Sequence, residues 1–326
     1  MEKLRIEDFE KYHFLSDVHL SPDGKHAVFV EQKTDMEKNL YTSYLWLCDT
    51  EAKTVSPLTT SGKDRSAYWL DNETILFVSS RSGEKPHVGE AKTEYYTISI
   101  HGGEAQKAFS VPVVVEKIEA LGGGRYLLSS IYNNMLPELT GLEGEAKEKA
   151  LKQIEEEQDY WVFDELPFWG NGIGYVNKHR VRLYLFDAET GALDPITEKL
   201  YHIDSWNLND AKDQIVWLGQ SFTDRATQKP ELVLYDMVKK ERHVLIEQEK
   251  YRLGGAWFMG DEILFSGSDG KQYGMNENKS YYRIDRDGTI HPFYEGDLSA
   301  TSTVGSDCRL GGGLNAKAVP GAFYLL

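Results

Sequence analysis

The sequence predicts an all-β fold, a β-propeller of four-stranded antiparallel blades. The main observation is a pattern that recurs about every fifty residues: an apolar strand, a second strand, an acidic or glycine turn and a third strand. The turn acids Asp187, Asp236 and Asp285 each follow the one before by 49 residues (236 − 187 and 285 − 236). Several short strands within a period of roughly 40–50 residues are typical of propeller blades.

The predicted elements make up a single propeller domain over residues 1–326. Residues 1–16 carry the pattern of a short N-terminal helix. Ser21–Gly24 then has the composition of a tight turn, because Pro22 presets φ and Gly24 supplies a positive φ. We expect five full blades and part of a sixth, out of a ring of seven. Their boundaries are about 17–61, 62–110, 111–199, 200–249 and 250–297, with the partial blade at 298–326.

The third repeat is longer than the others, which predicts an insertion over residues 133–165. Within it, Gly144–Glu157 is rich in helix formers and carries an apolar stripe, so we expect a surface helix of about three turns. The last repeat stops after the apolar segment 322–326. We therefore expect a piece of a longer protein, with an exposed sheet edge at which two copies could pair into a homo-oligomer.

Charge and hydropathy exclude several classes of protein. The net charge of −16 argues against a nucleic-acid binder, which needs an excess of lysine and arginine. No apolar run approaches the roughly 18 residues that a membrane span needs, and the charged start lacks the apolar core of a signal peptide. We expect a cytoplasmic protein. The densest basic cluster, Lys178–Arg182, is interpreted as a solvated strand edge.

The sequence contains none of the catalytic or cofactor motifs for which we searched. There is no Gly-x-Ser-x-Gly nucleophile turn, no phosphate-binding glycine loop and no helical histidine pair for zinc. Single histidines such as His202 and His243 are interpreted as structural. We therefore predict no catalytic residue, no cofactor and no metal site in this chain.

Two adjacent acids, Asp164 and Glu165, are the candidate substrate-binding residues. They lie among bulky apolar residues at the end of the predicted insertion. Carboxylates in such surroundings can anchor a cationic group, for example the amino terminus of a peptide. The alternative is that the two acids alternate across an edge strand, with one or both in water.

Several segments together resemble prolyl oligopeptidase-type serine peptidases, in particular the acylaminoacyl-peptidase-like branch. The opening segment Ile6–Val30, with its Ser21–Gly24 turn, is similar to the start of the propeller in that branch. Leu58-Thr59 resembles the ending of its first blade, Asp164–Gly174 the segment entering its third blade, and Ser306–Gly311 the start of its sixth.

The resemblance implies a seven-bladed propeller that caps an α/β-hydrolase domain with a Ser-Asp-His triad. In that family the propeller restricts access to short peptides, and a related branch uses paired acids to bind the substrate amino terminus. This sequence lacks the hydrolase domain, so no catalytic residue can be transferred to it. We expect a substrate-gating domain whose partners are short peptides and the missing hydrolase domain.

The sequence leaves two alternatives open. The chain could be a stand-alone propeller that binds a peptide, a glycan or a protein. It could also be a propeller hydrolase with carboxylates in its channel, which would need paired acids on the innermost strands.

Overall fold

The structure is a computed structural model that describes residues 3, 5–84, 86, 88–171, 173–296, 316–319 and 321–325. Its β-strands form five four-stranded antiparallel sheets, each of which is one blade, and this confirms the predicted fold class. A 3₁₀ helix at Ile6–Lys11 precedes the first blade. The first strand already begins at Phe14, so the N-terminal helix is shorter than the predicted 1–16.

The strand bounds are as follows. Blade 1 contains β1 Phe14–Leu20, β2 His26–Asp35, β3 Leu40–Asp49 and β4 Thr54–Pro57. Blade 2 contains β5 Asp64–Trp69, β6 Thr74–Ser79, β7 Thr93–Ser99 and β8 Gln106–Val111. Blade 3 contains β9 Val115–Gly122, β10 Arg125–Asn133, β13 His179–Asp187 and β14 Leu193–Pro195. Blade 4 contains β15 Tyr201–Leu208, β16 Gln214–Ser221, β17 Glu231–Asp236 and β18 Glu241–Ile246. Blade 5 contains β19 Arg252–Met259, β20 Glu262–Ser268, β21 Ser280–Ile284 and β22 Ile290–Tyr294.

The remaining elements lie between and after the blades. The segment between β10 and β13 holds helix α1 Gly144–Glu156, a 3₁₀ helix Glu157–Asp159 and the short hairpin β11 Trp169–Gly170 and β12 Gly174–Tyr175. Another 3₁₀ helix, Gly274–Asn276, precedes β21. A two-stranded sheet of β23 Ala316–Val319 and β24 Ala322–Leu325 follows blade 5, where we expected the partial sixth blade. Ser306–Gly311 lies outside the described residues, and the total of seven blades stays a prediction.

The hydrophobic core lies between neighbouring blades rather than inside any one of them. Side chains alternate across a strand, so adjacent residues of a central strand contribute to opposite interfaces. Ile215 packs in the interface of blades 3 and 4, and its neighbour Val216 packs in that of blades 4 and 5. Leu127 and Leu128 on β10 divide in the same way. Central strands are therefore buried on both faces, which explains their continuous apolar runs.

The first strands of the blades lie toward the propeller axis. Residues of β9, β15 and β19 line one cavity, and residues of β1, β5 and β9 line another. The predicted turn before β2 is present, with the Gly24 amide donating to the Ser21 carbonyl at 2.9 Å and a φ of 72° at Gly24. No helix in the described ranges is long and apolar enough to cross a membrane.

Candidate functional site

The insertion in blade 3 is longer than the predicted 133–165. It comprises residues 134–178, which we call the insertion, because the chain returns to the sheet only at His179. The predicted helix is present as α1, and two residues of its apolar stripe, Ala150 and Ile154, are buried. Antiparallel topology places the insertion at the end of the propeller where the first strands begin.

Helix α1 rests on the loop that precedes β7 in blade 2. A Cβ atom at Gly89 would lie 2.8 Å from Cγ2 of Ile154, so the helix packs directly on the loop backbone. An ion pair of 2.6 Å joins Lys147 Nζ and Glu90 Oε1 at the same contact. The first half of the insertion is therefore attached to blade 2.

The second half of the insertion is attached to blade 4. The Leu166 amide donates to the Asp224 carbonyl at 2.8 Å, and the Ala226 amide donates to the Leu166 carbonyl at 2.8 Å. Lys178 Nζ also donates to the Thr223 carbonyl at 2.9 Å. The insertion thus spans from blade 2 to blade 4 above the blade from which it arises.

Glu165, one of the two predicted site residues, is buried in an ion pair with Arg180 on β13. The Arg180 guanidinium donates to Glu165 Oε1 at 2.9 Å and to Oε2 at 2.8 Å, and the Lys178 amide donates to Oε1 at 2.5 Å. Burial alone would raise the pKa of Glu165, but the bonds from Arg180 and Lys178 outweigh it and hold the pKa below its usual range. Both carboxylate oxygens of Glu165 are occupied.

The interpretation of Lys178–Arg182 as a solvated strand edge is wrong. Arg180 and Arg182 are only 1% and 3% exposed. Because the strand alternates, both side chains point to one face, where their charges find acceptors. Arg180 donates to the Leu200 and Phe222 carbonyls, and Arg182 donates to the Thr197 carbonyl. The insertion supplies the carboxylate that makes the burial of Arg180 possible.

Asp164, the other predicted site residue, has a different environment from its neighbour. Its side chain is 55% exposed, with Lys178 Nζ at 3.2 Å and Asn177 Nδ2 at 3.3 Å from Oδ1. The two acids lie on an irregular segment rather than on an edge strand. Of the pair, Asp164 alone has a carboxylate that a ligand can reach, and substrate binding by the pair stays a prediction.

Asp164 lies in a segment rich in exposed aromatic side chains. Five of them pack on one another with ring centroids 4.8–5.3 Å apart, and each is at least 40% exposed. We call this group the aromatic surface; it consists of Trp161, Phe163, Phe168, Trp169 and Tyr175. Contiguous exposed apolar area of this kind marks an interaction site more often than scattered single residues do.

The Glu165–Arg180 pair adjoins the cavity between β9, β15 and β19, which we call the inner cavity. The amide of Val181, next to Arg180, donates to Nδ1 of His202 at 3.1 Å, and His202 lines the inner cavity. Burial, together with the nearby Arg180 charge, lowers the pKa of His202 to about 4. The insertion and the wall of the inner cavity are therefore directly connected.

Sequence reasoning missed three residues of this region. His202 was interpreted as structural and Arg180 as solvated. Asp204, whose carboxylate lies 3.5 Å from the His202 ring, was not among the predicted site residues. Aligning the repeats on their first strands would have placed Asp204 on an innermost strand. Among the described residues, no three His, Cys, Asp or Glu side chains come together as metal ligands would.

Comparisons with known proteins relate this chain to peptidases. No protein-family model matches it. It is similar to the uncharacterized peptidase YuxL of Bacillus subtilis strain 168, with 26% identity over 218 residues, which cover 66% of this chain and 31% of that protein. Its fold matches acylaminoacyl peptidase of Pyrococcus horikoshii with a TM-score of 0.59 and 16% identity, over 87% of this chain and 40% of that chain.

A propeller determined on its own also matches. It is the β-propeller domain of the Trilobed protease of Pyrococcus furiosus, with a TM-score of 0.52 and 15% identity over 95% of this chain and 83% of that chain. The resemblance to prolyl oligopeptidase-type peptidases that the sequence motifs indicated is therefore confirmed. This chain spans about a third of the curated relative, 31% of its length.

Proposed function

We propose that this chain is the substrate-gating propeller of a serine peptidase that acts on short peptides. The observation that carries the proposal is the fold, five four-stranded blades that match the propeller of a solved acylaminoacyl peptidase. The sequence similarity to a protein named as a peptidase supports the same reading. The propeller would limit the length of the substrate, because a peptide has to pass the loops of the propeller to reach a catalytic site behind this domain.

In this proposal the serine nucleophile, its histidine and its aspartate reside on a separate α/β-hydrolase domain. The present sequence has no Gly-x-Ser-x-Gly turn for such a nucleophile. The chain by itself is then inactive, and its contribution is to select and orient the substrate. Selection of this kind changes KM more than kcat, since it acts on binding rather than on the reacting atoms.

We assign the binding of a peptide amino terminus to Asp164. Its exposed carboxylate can accept charge-assisted hydrogen bonds from an ammonium group, and the aromatic surface offers apolar contact to the first side chains of the peptide. Glu165 is a positioning residue, because its bonds to Arg180 hold the segment on which Asp164 lies.

The test is a peptidase assay on the product of the gene's complete reading frame, beside this chain alone. We expect the complete product to hydrolyse short chromogenic peptides, with loss of activity after a serine-directed inhibitor, and this chain to be inactive. Asp164→Asn in the complete product should raise KM for peptides with a free amino terminus, but not for the same peptides with an acetylated one. Turnover by this chain alone, or none by the complete product, would refute the proposal.

The aromatic surface favours a second candidate, a propeller that binds a protein or peptide without any catalytic domain. Five exposed aromatic rings on one insertion are costly to leave in water. In that case the complete reading frame would contain no hydrolase. Trp169→Ala would weaken partner binding, whereas Asp164→Asn would act equally on free and blocked peptides.

A further inference from the structure

The inner cavity has a volume of about 500 Å³ and lies between the first strands of blades 3, 4 and 5. Each of these strands has a register shift facing this cavity, which leaves an extra residue opposite its partner strand: Glu116 on β9, Asp204 on β15 and Gly254 on β19. All three extra residues line the inner cavity. Because a β-bulge changes the direction of a side chain, two acids and a residue without a side chain surround one space.

His202 does not neutralise Asp204. Its Nε2 lies 3.5 Å from Asp204 Oδ1, and its Nδ1 accepts the Val181 amide proton. The neutral ring must therefore carry its proton on Nε2, facing Asp204. The low pKa of His202 keeps the ring uncharged at neutral pH, so it offers Asp204 a hydrogen-bond donor but no positive charge.

The lysine that lines the inner cavity does not neutralise the acids either. Lys117 Nζ donates to the Trp206 carbonyl at 2.8 Å and lies 4.0 Å from the centroid of the Trp206 ring. Within the described ranges, no lysine or arginine forms an ion pair with Glu116 or Asp204. Burial accordingly raises the pKa of Asp204 to about 6 and also raises the pKa of Glu116.

We propose that the inner cavity binds the basic side chain of a peptide, a lysine ammonium or an arginine guanidinium, with Asp204 as its counter-ion. The Asp204 side chain lines the cavity and is 35% exposed, so an incoming cation can reach its carboxylate and form the ion pair that it lacks among the described residues. Trp257, which lines the same cavity, offers an aromatic face for the cation. The volume lies within the range of about 300–1,000 Å³ that ligand pockets occupy.

This inference rests on the inner cavity and does not depend on the proposed peptidase function. It is tested by binding to this chain alone, with no catalysis involved. A failure here would leave the gating role untouched, and a failed peptidase assay would leave the cation site untouched.

The probes are three tripeptides blocked at both ends, Gly-X-Gly with lysine, arginine or norleucine at X, titrated into this chain by NMR. We expect the lysine or arginine peptide to bind and the norleucine peptide, which has no charge, to bind at least about tenfold more weakly. Asp204→Asn should weaken binding of the basic peptide about tenfold. Glu116→Gln should weaken binding of the basic peptide less, because Glu116 lines the cavity but, unlike Asp204, does not lie next to His202.

The charge control is Glu189→Gln, which removes one exposed carboxylate on the turn between β13 and β14. It should leave binding unchanged at the same ionic strength. Equal binding of the norleucine peptide, or equal weakening by Glu189→Gln and Asp204→Asn, would overturn the proposal.

A stability measurement provides a readout that does not need the peptide. The folded pKa of Asp204, about 6, lies above its unfolded value, so its ionisation destabilises the folded state increasingly as the pH rises from the unfolded pKa to the folded one. Asp204→Asn should therefore resist urea better than the parent chain at pH 8, and the difference should shrink as the pH falls from about 6 to about 4. His202, Glu116 and Lys117 line the same cavity and Lys279 Nζ lies beside Gly254 in its wall; all four remain in both proteins. No gain at pH 8 would contradict an uncompensated Asp204.

Discussion

The blades and the insertion are stabilised by different physical means. Blades pack sheet against sheet through clusters of buried apolar side chains, as in the interface around Val216 and Phe265. The insertion is held by local contacts to three blades: α1 on the Gly89 loop, Glu165 on Arg180, and the Leu166 backbone on blade 4. It leaves an aromatic surface exposed. The repeat therefore provides the stability, while the insertion carries the exposed groups that can recognise a ligand.

The largest effect is expected from a change in an interface between blades. Phe265→Ala removes a fully buried ring between blades 4 and 5 and should lower the free energy of unfolding by about 3–5 kcal/mol. Urea unfolding measures it. Phe293→Ala on the outer strand β22 is the matched control and should cost much less, because that ring is partly exposed. Similar losses for both variants would mean that the interfaces between blades do not carry the stability.

The next effect concerns the attachment of the insertion to blade 3. Glu165→Gln leaves the Arg180 guanidinium buried without its counter-ion and should cost about 3 kcal/mol in urea unfolding. The lowered pKa of Glu165 means that its contribution is present above its unfolded pKa and is lost as the pH falls. The variant should therefore approach the parent chain in acid.

Asp164→Asn is the control for that measurement, because it changes the adjacent exposed carboxylate. It should leave the urea midpoint unchanged. If Asp164→Asn and Glu165→Gln lowered the free energy of unfolding equally, the difference in burial between the two acids would not affect stability. Glu165 would then not be a positioning residue.

The smallest effect should be local to α1. Gly89 has a φ of 85°, and an added Cβ would meet the Ile154 side chain. Gly89→Ala should cost about 1–2 kcal/mol at this contact, seen as faster amide exchange over Gly144–Glu156 with little change in global unfolding. Gly83→Ala shares the positive φ but meets nothing, so it should leave α1 protected. Faster exchange in both variants would assign the effect to backbone strain.

The blades could be predicted from the sequence because they repeat. The insertion could be predicted only in part, because it interrupts that repeat. The pattern of β16 could be recognised because a strand buried on both faces has a continuous apolar run. Helix α1 was predicted almost to the residue, since its composition and stripe are local properties. The extent of the insertion to residue 178 was not, because the segment around Trp169 and Tyr175 forms its own small hairpin instead of a blade strand.

The repeat, the four-stranded blades, the helix and the position of the adjacent acids could be predicted, because they follow from spacing and composition. The burial of Glu165 beside an exposed Asp164 could not, since Arg180 reaches Glu165 from a different element. Nor could the shared cavity of Glu116 and Asp204, which are 88 residues apart (204 − 116). Such proximity arises where the blades converge on a common axis, and no local pattern in a sequence records it.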